Sequence, residues 1–206
     1  MSSRRCVRRG RALFGRGNCL CLPPSIAIVR NNGPMGEGSM SDNALDVVLA
    51  KQDITERIHD YCRAMDRIDD DLGRSVFHPD AVADYGAIFQ GDGYGFIDFV
   101  HHSHTAMLAQ NHQVSNISIR VDGDRAGSET YVTMRGRMKG EGDAVTQIVS
   151  IGRYVDEWEK RDGQWRISRR QYLHVMDEVH PIGMTTYATA GARDRTDPSY
   201  AALGTV

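Results

Sequence analysis

Few side chains in this 206-residue chain have types and spacing that could do chemistry. Asp66 follows Cys62 by four residues and Ile58 by eight. On a helix it would lie roughly 80° from Ile58, at the margin of an apolar stripe. A carboxylate there is partly desolvated and needs a partner. Arg63 and Arg67 are candidates, in which case the aspartate is structural; an imidazole would be a different matter. His112 stands at the entry to an alternating segment. Taken alone it is either a satisfied histidine or a base. Histidine is the usual base for abstracting a proton from carbon near neutral pH. A carboxylate on its other ring nitrogen fixes the tautomer and stabilises the imidazolium that forms.

The remaining candidates are weaker. In His101-His102-Ser103-His104, a helix would put His101 and His104 on one face, where a carboxylate could complete a metal site. No HxxxE or CxxC accompanies them, and the other reading is a solvated or pocket-rim helix face. Gly91-x-Gly93-x-Gly95 lacks a following Lys or a dinucleotide-binding context and reads as a turn. Cys62 falls within the helical stripe and reads as core. The sequence has no P-loop, no GxSxG and no HExxH. No metal and no organic cofactor is expected.

Helices must position the first half of these residues. Asp53-Ile54-Thr55-Glu56 has the capping-box arrangement. Ile54, Ile58, Tyr61, Cys62 and Met65 follow at helical spacing. Asp69-Asp70-Asp71 supplies a cap and first-turn acids for a short helix through Val76-Phe77, stopped at His78-Pro79. Residues 82–89 read as a strand or hairpin. Phe96, Phe99, Val100, Ala106 and Leu108 suggest a third helix.

From His112 the period changes to two. Ile117, Ile119 and Val121 alternate with polar residues, and Asp122-Gly123-Asp124 is a hairpin turn. Strands are expected over residues 130–138, 145–160 and 165–176, with turns at Gly140-Glu141-Gly142-Asp143 and Asp162-Gly163. Strict alternation puts His112 out of phase with Ile117, Ile119 and Val121 unless a bulge intervenes. Helices first and a meander of long strands after them is an α+β layout with a curling antiparallel sheet. Tyr154, Trp158 and Tyr172 would cover the broad sheet face that such a layout leaves, favouring a homo-oligomer, dimer or trimer.

Charge divides the chain. Seven of the 25 basic side chains lie in residues 1–36, which hold none of the 27 acidic ones; the rest carries 18 and 27, a net −9 with His neutral. Such a body does not attract nucleic acid through its overall field. Residues 1–40 read as an Arg-rich leader: a disordered extension upstream of a start at Met35 or Met40, an organelle transit peptide, or a basic arm. The apolar run at residues 25–29 is too short for a secretory signal. No stretch is long and apolar enough to span a membrane. One cysteine in the body means that the fold does not rest on disulfides, which suits the cytoplasm. Residues 41–180 read as one domain, and residues 181–206 as a tail, loose or covering a neighbour.

Several segments together resemble a known family. They are Ala64-Met65-Asp66-Arg67-Ile68-Asp69, Phe77-His78-Pro79-Asp80-Ala81-Val82, His112-Gln113-Val114-Ser115-Asn116, Val121-Asp122-Gly123-Asp124-Arg125-Ala126 and Arg161-Asp162-Gly163-Gln164-Trp165-Arg166-Ile167. In this order they resemble the SnoaL-like branch of the nuclear-transport-factor-2-like superfamily. The resemblance implies a cone-shaped, cystatin-like α+β barrel: a curved antiparallel sheet wrapped by N-terminal helices around one apolar pocket. Scytalone dehydratase, hexachlorocyclohexane dehydrochlorinase and bile-acid 7α-dehydratase in that superfamily carry an Asp-His dyad, which falls on Asp66 and His112. By the same resemblance Tyr85, Tyr61 and Arg170 fall on substrate-polarising positions. Met65, and the absence of an asparagine near Tyr154, depart from the scytalone dehydratase pattern and argue against scytalone itself as substrate.

The function expected on this basis is a cofactor-independent lyase or isomerase, dehydratase-like, acting on a small hydrophobic, cyclic molecule. His112 would be the base and Asp66 its orienting partner. The alternatives are a ligand-binding or accessory protein of the same fold without turnover, and a structural small subunit of a ring-hydroxylating dioxygenase.

Overall fold

The computed structural model describes residues 39–142, 144–183 and 190–204; the leader at residues 1–38 lies outside them. The first helix, α1 (Ser39–Arg67), starts well before Asp53. The capping-box motif is therefore helix interior, and the Thr55 hydroxyl donates back to the Lys51 carbonyl at 2.7 Å. Nothing in residues 40–52 breaks a helix, which is why α1 extends through them. Ala50, Ile54, Ile58, Tyr61, Cys62 and Met65 form its buried stripe. The helix ends where Ile68 takes a left-handed φ of 52° and the Asp69 N–H reaches the Ala64 carbonyl at 3.1 Å. That turn leaves Asp66 in the last turn and hands Asp69 to α2 (Asp70–Ser75) as its N-cap.

A strand, β1 (Phe77–Asp84), begins at once, so His78-Pro79 lies inside it. It pairs with a short strand, β2 (Gln90–Asp92). Two of the three glycines expected in a turn belong instead to the first turn of α3 (Gly93–His104), capped by the Asp92 carboxylate. Gly93 is required because a Cβ there would strike the Phe77 ring at 2.8 Å.

The meander follows as β3 (Met107–Asp122), β4 (Arg125–Lys139), β5 (Val145–Arg161) and β6 (Gln164–Ile182), each neighbour antiparallel. Strand β3 starts five residues before His112. The sheet order is β2-β1-β6-β5-β4-β3, and β1 joins β6 in parallel. Register shifts in β5–β6 curl the sheet without closing it, so β2 and β3 remain edges.

The helices fill the concave side. Tyr154 and Trp158 are buried in this core and Tyr172 packs against it. They do not cover the outer face, correcting the expectation above; that face presents Tyr131 and Val155. After β6, residues 190–204 fold back on α1 and α2 of the same chain, ending in a short helix, α4 (Pro198–Leu203).

Candidate active site

In β3, Ser115 pairs with Tyr131 and Ser118 with Glu129, so Asn116 and Ile117 together oppose Thr130 alone. This is a bulge, and Asn116 accommodates it with a left-handed φ of 49°. From residue 110 onward the shielded positions are 110, 112 and 114 before it and 117, 119 and 121 after it. His112 consequently shares the concave side with Ile119.

There it meets Asp66. His112 Nδ1 lies 2.7 Å from Asp66 Oδ1. The His112 backbone N–H donates to Oδ1 and Oδ2 at 3.0 and 3.1 Å, and Asn111 Nδ2 lies 3.5 Å from Oδ2. A carboxylate only accepts, so in the neutral imidazole Nδ1 carries the ring proton and the lone pair is on Nε2. Nε2 has no hydrogen bond among the described residues. Neither Arg63 nor Arg67 pairs with Asp66: Arg63 donates to Ser199 Oγ at 3.0 Å, and Arg67 lies 3.4 Å from Asp197.

Both members of the pair line a cleft of about 430 Å³, together with Cys62, Val114, Arg67 and Leu203. Burial pushes the Cys62 thiol up to about 12, so it is an uncharged wall rather than a nucleophile. Behind the dyad lies His104, its ring centroid 5.9 Å from that of His112. Burial pulls His104 down to about 3, and a proton on it would be repelled by Arg193 and by any charge on the neighbouring His112 and His101. Its Nδ1 is 3.0 Å from Gln110 Nε2, which also donates to the Met65 carbonyl next to Asp66.

Tyr61, Tyr85 and Arg170 form a second group, which does not line this cleft. The Tyr61 and Tyr85 hydroxyls are 2.9 Å apart, and the Arg170 guanidinium lies 4.1 Å from the Tyr61 ring centroid and 4.2 Å from that of Tyr154. Asp156 binds Arg170 through two bonds, Nε to Oδ1 at 2.7 Å and Nη2 to Oδ2 at 2.8 Å. Burial opposes the charge on Arg170; Asp156 outweighs it and keeps the guanidinium protonated well beyond its usual range. Burial likewise pushes Tyr61 and Tyr85 well above the usual tyrosine range, so both hydroxyls keep their protons. Asp156 had no sequence signal because the strand register alone sets it opposite Arg170.

His101 and His104 do share the buried face of α3, but His101 pairs with Asp70 at 2.5 Å and His104 with Gln110. Among the described residues, no group of three His, Cys, Asp or Glu converges as a metal site. A larger groove of about 530 Å³ between α1, α2 and the β5–β6 turn contains no candidate residue. Its charges are largely matched internally, as in Arg57–Asp60 and Arg195–Asp69.

A curved, unclosed mixed sheet with helices on its concave side defines the class: an α+β fold of the nuclear-transport-factor-2-like kind. Within it, residues 46–171 match the SnoaL-like domain, and the chain belongs to that family. Among solved structures it is similar to one described as a putative scytalone dehydratase from Novosphingobium aromaticivorans, with 24% identity, 75% of this chain and 97% of that one covered, and a TM-score of 0.58. It is also similar to a hexachlorocyclohexane dehydrochlorinase from Novosphingobium barchaimii, with 19% identity, 71% and 99% covered, and a TM-score of 0.58. A nuclear transport factor 2-like superfamily protein from Salmonella enterica shares 22% identity, with 62% and 92% covered and a TM-score of 0.55. At these identities the likeness shows the fold. No curated protein sequence matches the chain.

Proposed function

We propose that this protein is a cofactor-independent lyase or isomerase in which His112 removes a proton from a carbon atom of a small hydrophobic, cyclic substrate. The observation that carries the reading is the 2.7 Å contact between Asp66 and His112 Nδ1, with Nε2 left unbonded beside the cleft. Nε2 accepts the proton, and Asp66 stabilises the resulting imidazolium. The electrons of the C–H bond become a carbon–carbon double bond. In a lyase reaction a hydroxide or halide departs with its bonding pair; in an isomerisation the proton returns at another carbon. Two structural neighbours, one described as a putative scytalone dehydratase and one as a hexachlorocyclohexane dehydrochlorinase, carry names of this elimination type.

Tyr85, Tyr61 and Arg170 complete the proposal as polarising groups. In the Tyr61–Tyr85 pair one hydroxyl donates to the other, and the remaining hydroxyl proton, beside the Arg170 cation, can be donated to a carbonyl oxygen as charge develops there. To touch them, a substrate must reach past Cys62 and Val114 into the aromatic interior.

The test uses cyclic β-hydroxyketones, followed for water loss by mass spectrometry, and cyclic ketones in D2O, followed for deuterium uptake by NMR. Conversion or exchange that disappears in His112→Ala supports the reading; equal rates in both proteins reject it. One observation favours a second reading, binding without turnover: Tyr61, Tyr85 and Arg170 are closed on one another and on Asp156. Recovery of a tightly bound hydrophobic compound unchanged after incubation would favour it.

A further inference from the structure

The dyad cleft has an apolar wall and a cation, Arg67, held by one long ionic contact with no hydrogen bond from its guanidinium among the described residues. Cys62 and Val114 form the wall from α1 and β3, and Leu203 of α4 adds to it. Of the cationic groups at its rim, Arg63 is engaged: it donates to Ser199 Oγ at 3.0 Å and stacks on the Tyr200 ring at 4.4 Å. Arg67 is different. Its one ionic contact is Nε to Asp197 Oδ1 at 3.4 Å, and that Nε forms no hydrogen bond. Asp197 is already occupied, accepting from the Ser199 N–H at 3.1 Å, the Ser199 hydroxyl at 2.5 Å and the Ala192 N–H at 3.1 Å. The two Nη groups of Arg67 have no partner among the described residues.

The acids of the cleft do not compensate it. Asp66 is held by His112, and Asp60 pairs with Arg57 at 2.8 Å. A guanidinium with free donors, beside an apolar wall and one residue from the aspartate of the dyad, matches a ligand with an apolar ring and an oxyanion. The cleft volume of about 430 Å³ suits a molecule of one or two rings.

We infer that Arg67 is a specificity-determining residue that binds a carboxylate on the substrate, so that the substrate class is small cyclic carboxylic acids rather than neutral hydrocarbons or halides. This rests on the dyad cleft being the active site, as proposed above. Binding can nonetheless be tested apart from turnover.

The probes are naphthoate and its neutral isostere naphthamide, titrated calorimetrically into the full-length protein. Naphthoate is expected to bind about tenfold or more tightly than the amide, the worth of a charge-assisted hydrogen bond. Arg67→Met should bring the two affinities together, while Arg67→Lys retains part of the preference. Added salt should weaken naphthoate binding and leave the amide unchanged, a readout that needs no variant. Equal affinities in the wild type, no binding of either probe, or a preference that survives Arg67→Met would each overturn the inference. His112→Ala separates the two readings: it should keep the naphthoate preference whether or not it abolishes turnover.

Discussion

One carboxylate holds His112 twice, through its ring and through its backbone. Asp66 accepts from the His112 N–H at 3.0 and 3.1 Å and from Nδ1 at 2.7 Å. The backbone bonds fix the edge strand β3 against the last turn of α1, and the ring bond fixes the tautomer. His112→Ala should lower turnover by about 10²–10⁴, the usual worth of a positioned base. Asp66→Asn keeps the shape but presents no charge to an imidazolium, and should lose a similar factor. Steady-state rates for both variants check this, with circular dichroism to show that the fold is kept. Near-normal turnover in both would reject the dyad.

The bulge at Asn116 decides which way His112 points. With a φ of 49°, a β-branched residue there carries a strain of about 1–2 kcal/mol that glycine does not. Asn116→Val should therefore lower stability by about that amount in urea denaturation, and Asn116→Gly should be close to neutral. Deleting Asn116 restores strict alternation, so Ile117, Ile119 and Val121 can no longer share the concave side with His112. The deletion is expected to abolish turnover while Asn116→Gly keeps it. A deletion protein of full activity would show that the bulge does not set the orientation of the dyad.

What could be read from the chain follows from what each signal depends on. Asp66 was legible because helix geometry places a residue from local spacing, and the buried stripe around Ile54, Ile58 and Cys62 formed as that spacing requires. The phase conflict at His112 was visible too, but its resolution depends on one backbone dihedral at Asn116 that periodicity does not carry. A helix-like segment was legible directly after Met40, but its first turns carry no inward stripe, since Leu45, Val48 and Leu49 are exposed. Pairings set by strand register lie further out of reach. The parallel contact of β1 with β6, and Asp156 opposite Arg170, join residues whose spacing in the chain says nothing about their meeting. Arg67 was visible only as a possible partner of Asp66, since its freedom follows from how Asp197 is satisfied by its own loop.

The Arg170–Asp156 pair is fully buried, and its energetics are those of a matched pair rather than of a stabilising bridge. Asp156→Ala leaves a guanidinium enclosed by Tyr61 and Tyr154 without a counter-charge, which costs about 3–5 kcal/mol. The double variant Asp156→Leu with Arg170→Met removes both charges and should be markedly more stable than Asp156→Leu alone. Chemical denaturation of the three proteins measures this. A double variant no better than the single one would mean that the cluster is held by packing of the rings and not by charge balance.

His104 gives the fold a dependence on pH whose sign follows from its burial. Its protonation is suppressed to about 3 in the folded protein, against an ordinary value near 6.5 in the unfolded chain. The groups facing it are His112, His101 and Arg193, together with the neutral Gln110. Between these two values the unfolded state binds the additional proton, so stability rises with pH. The contribution is complete above about pH 6.5 and falls with acidification by at most about 1.4 kcal/mol per pH unit. Urea denaturation of the wild type at pH 7 and pH 5 should therefore show a loss on acidification that is smaller in His104→Gln, which keeps a polar side chain there but cannot titrate. Carboxylates such as Asp69, whose values are lowered, also lose stability in acid, but they do so equally in both proteins. The difference between the two slopes belongs to His104, and identical slopes would show that its ring is protonated in the folded state as readily as in the unfolded chain.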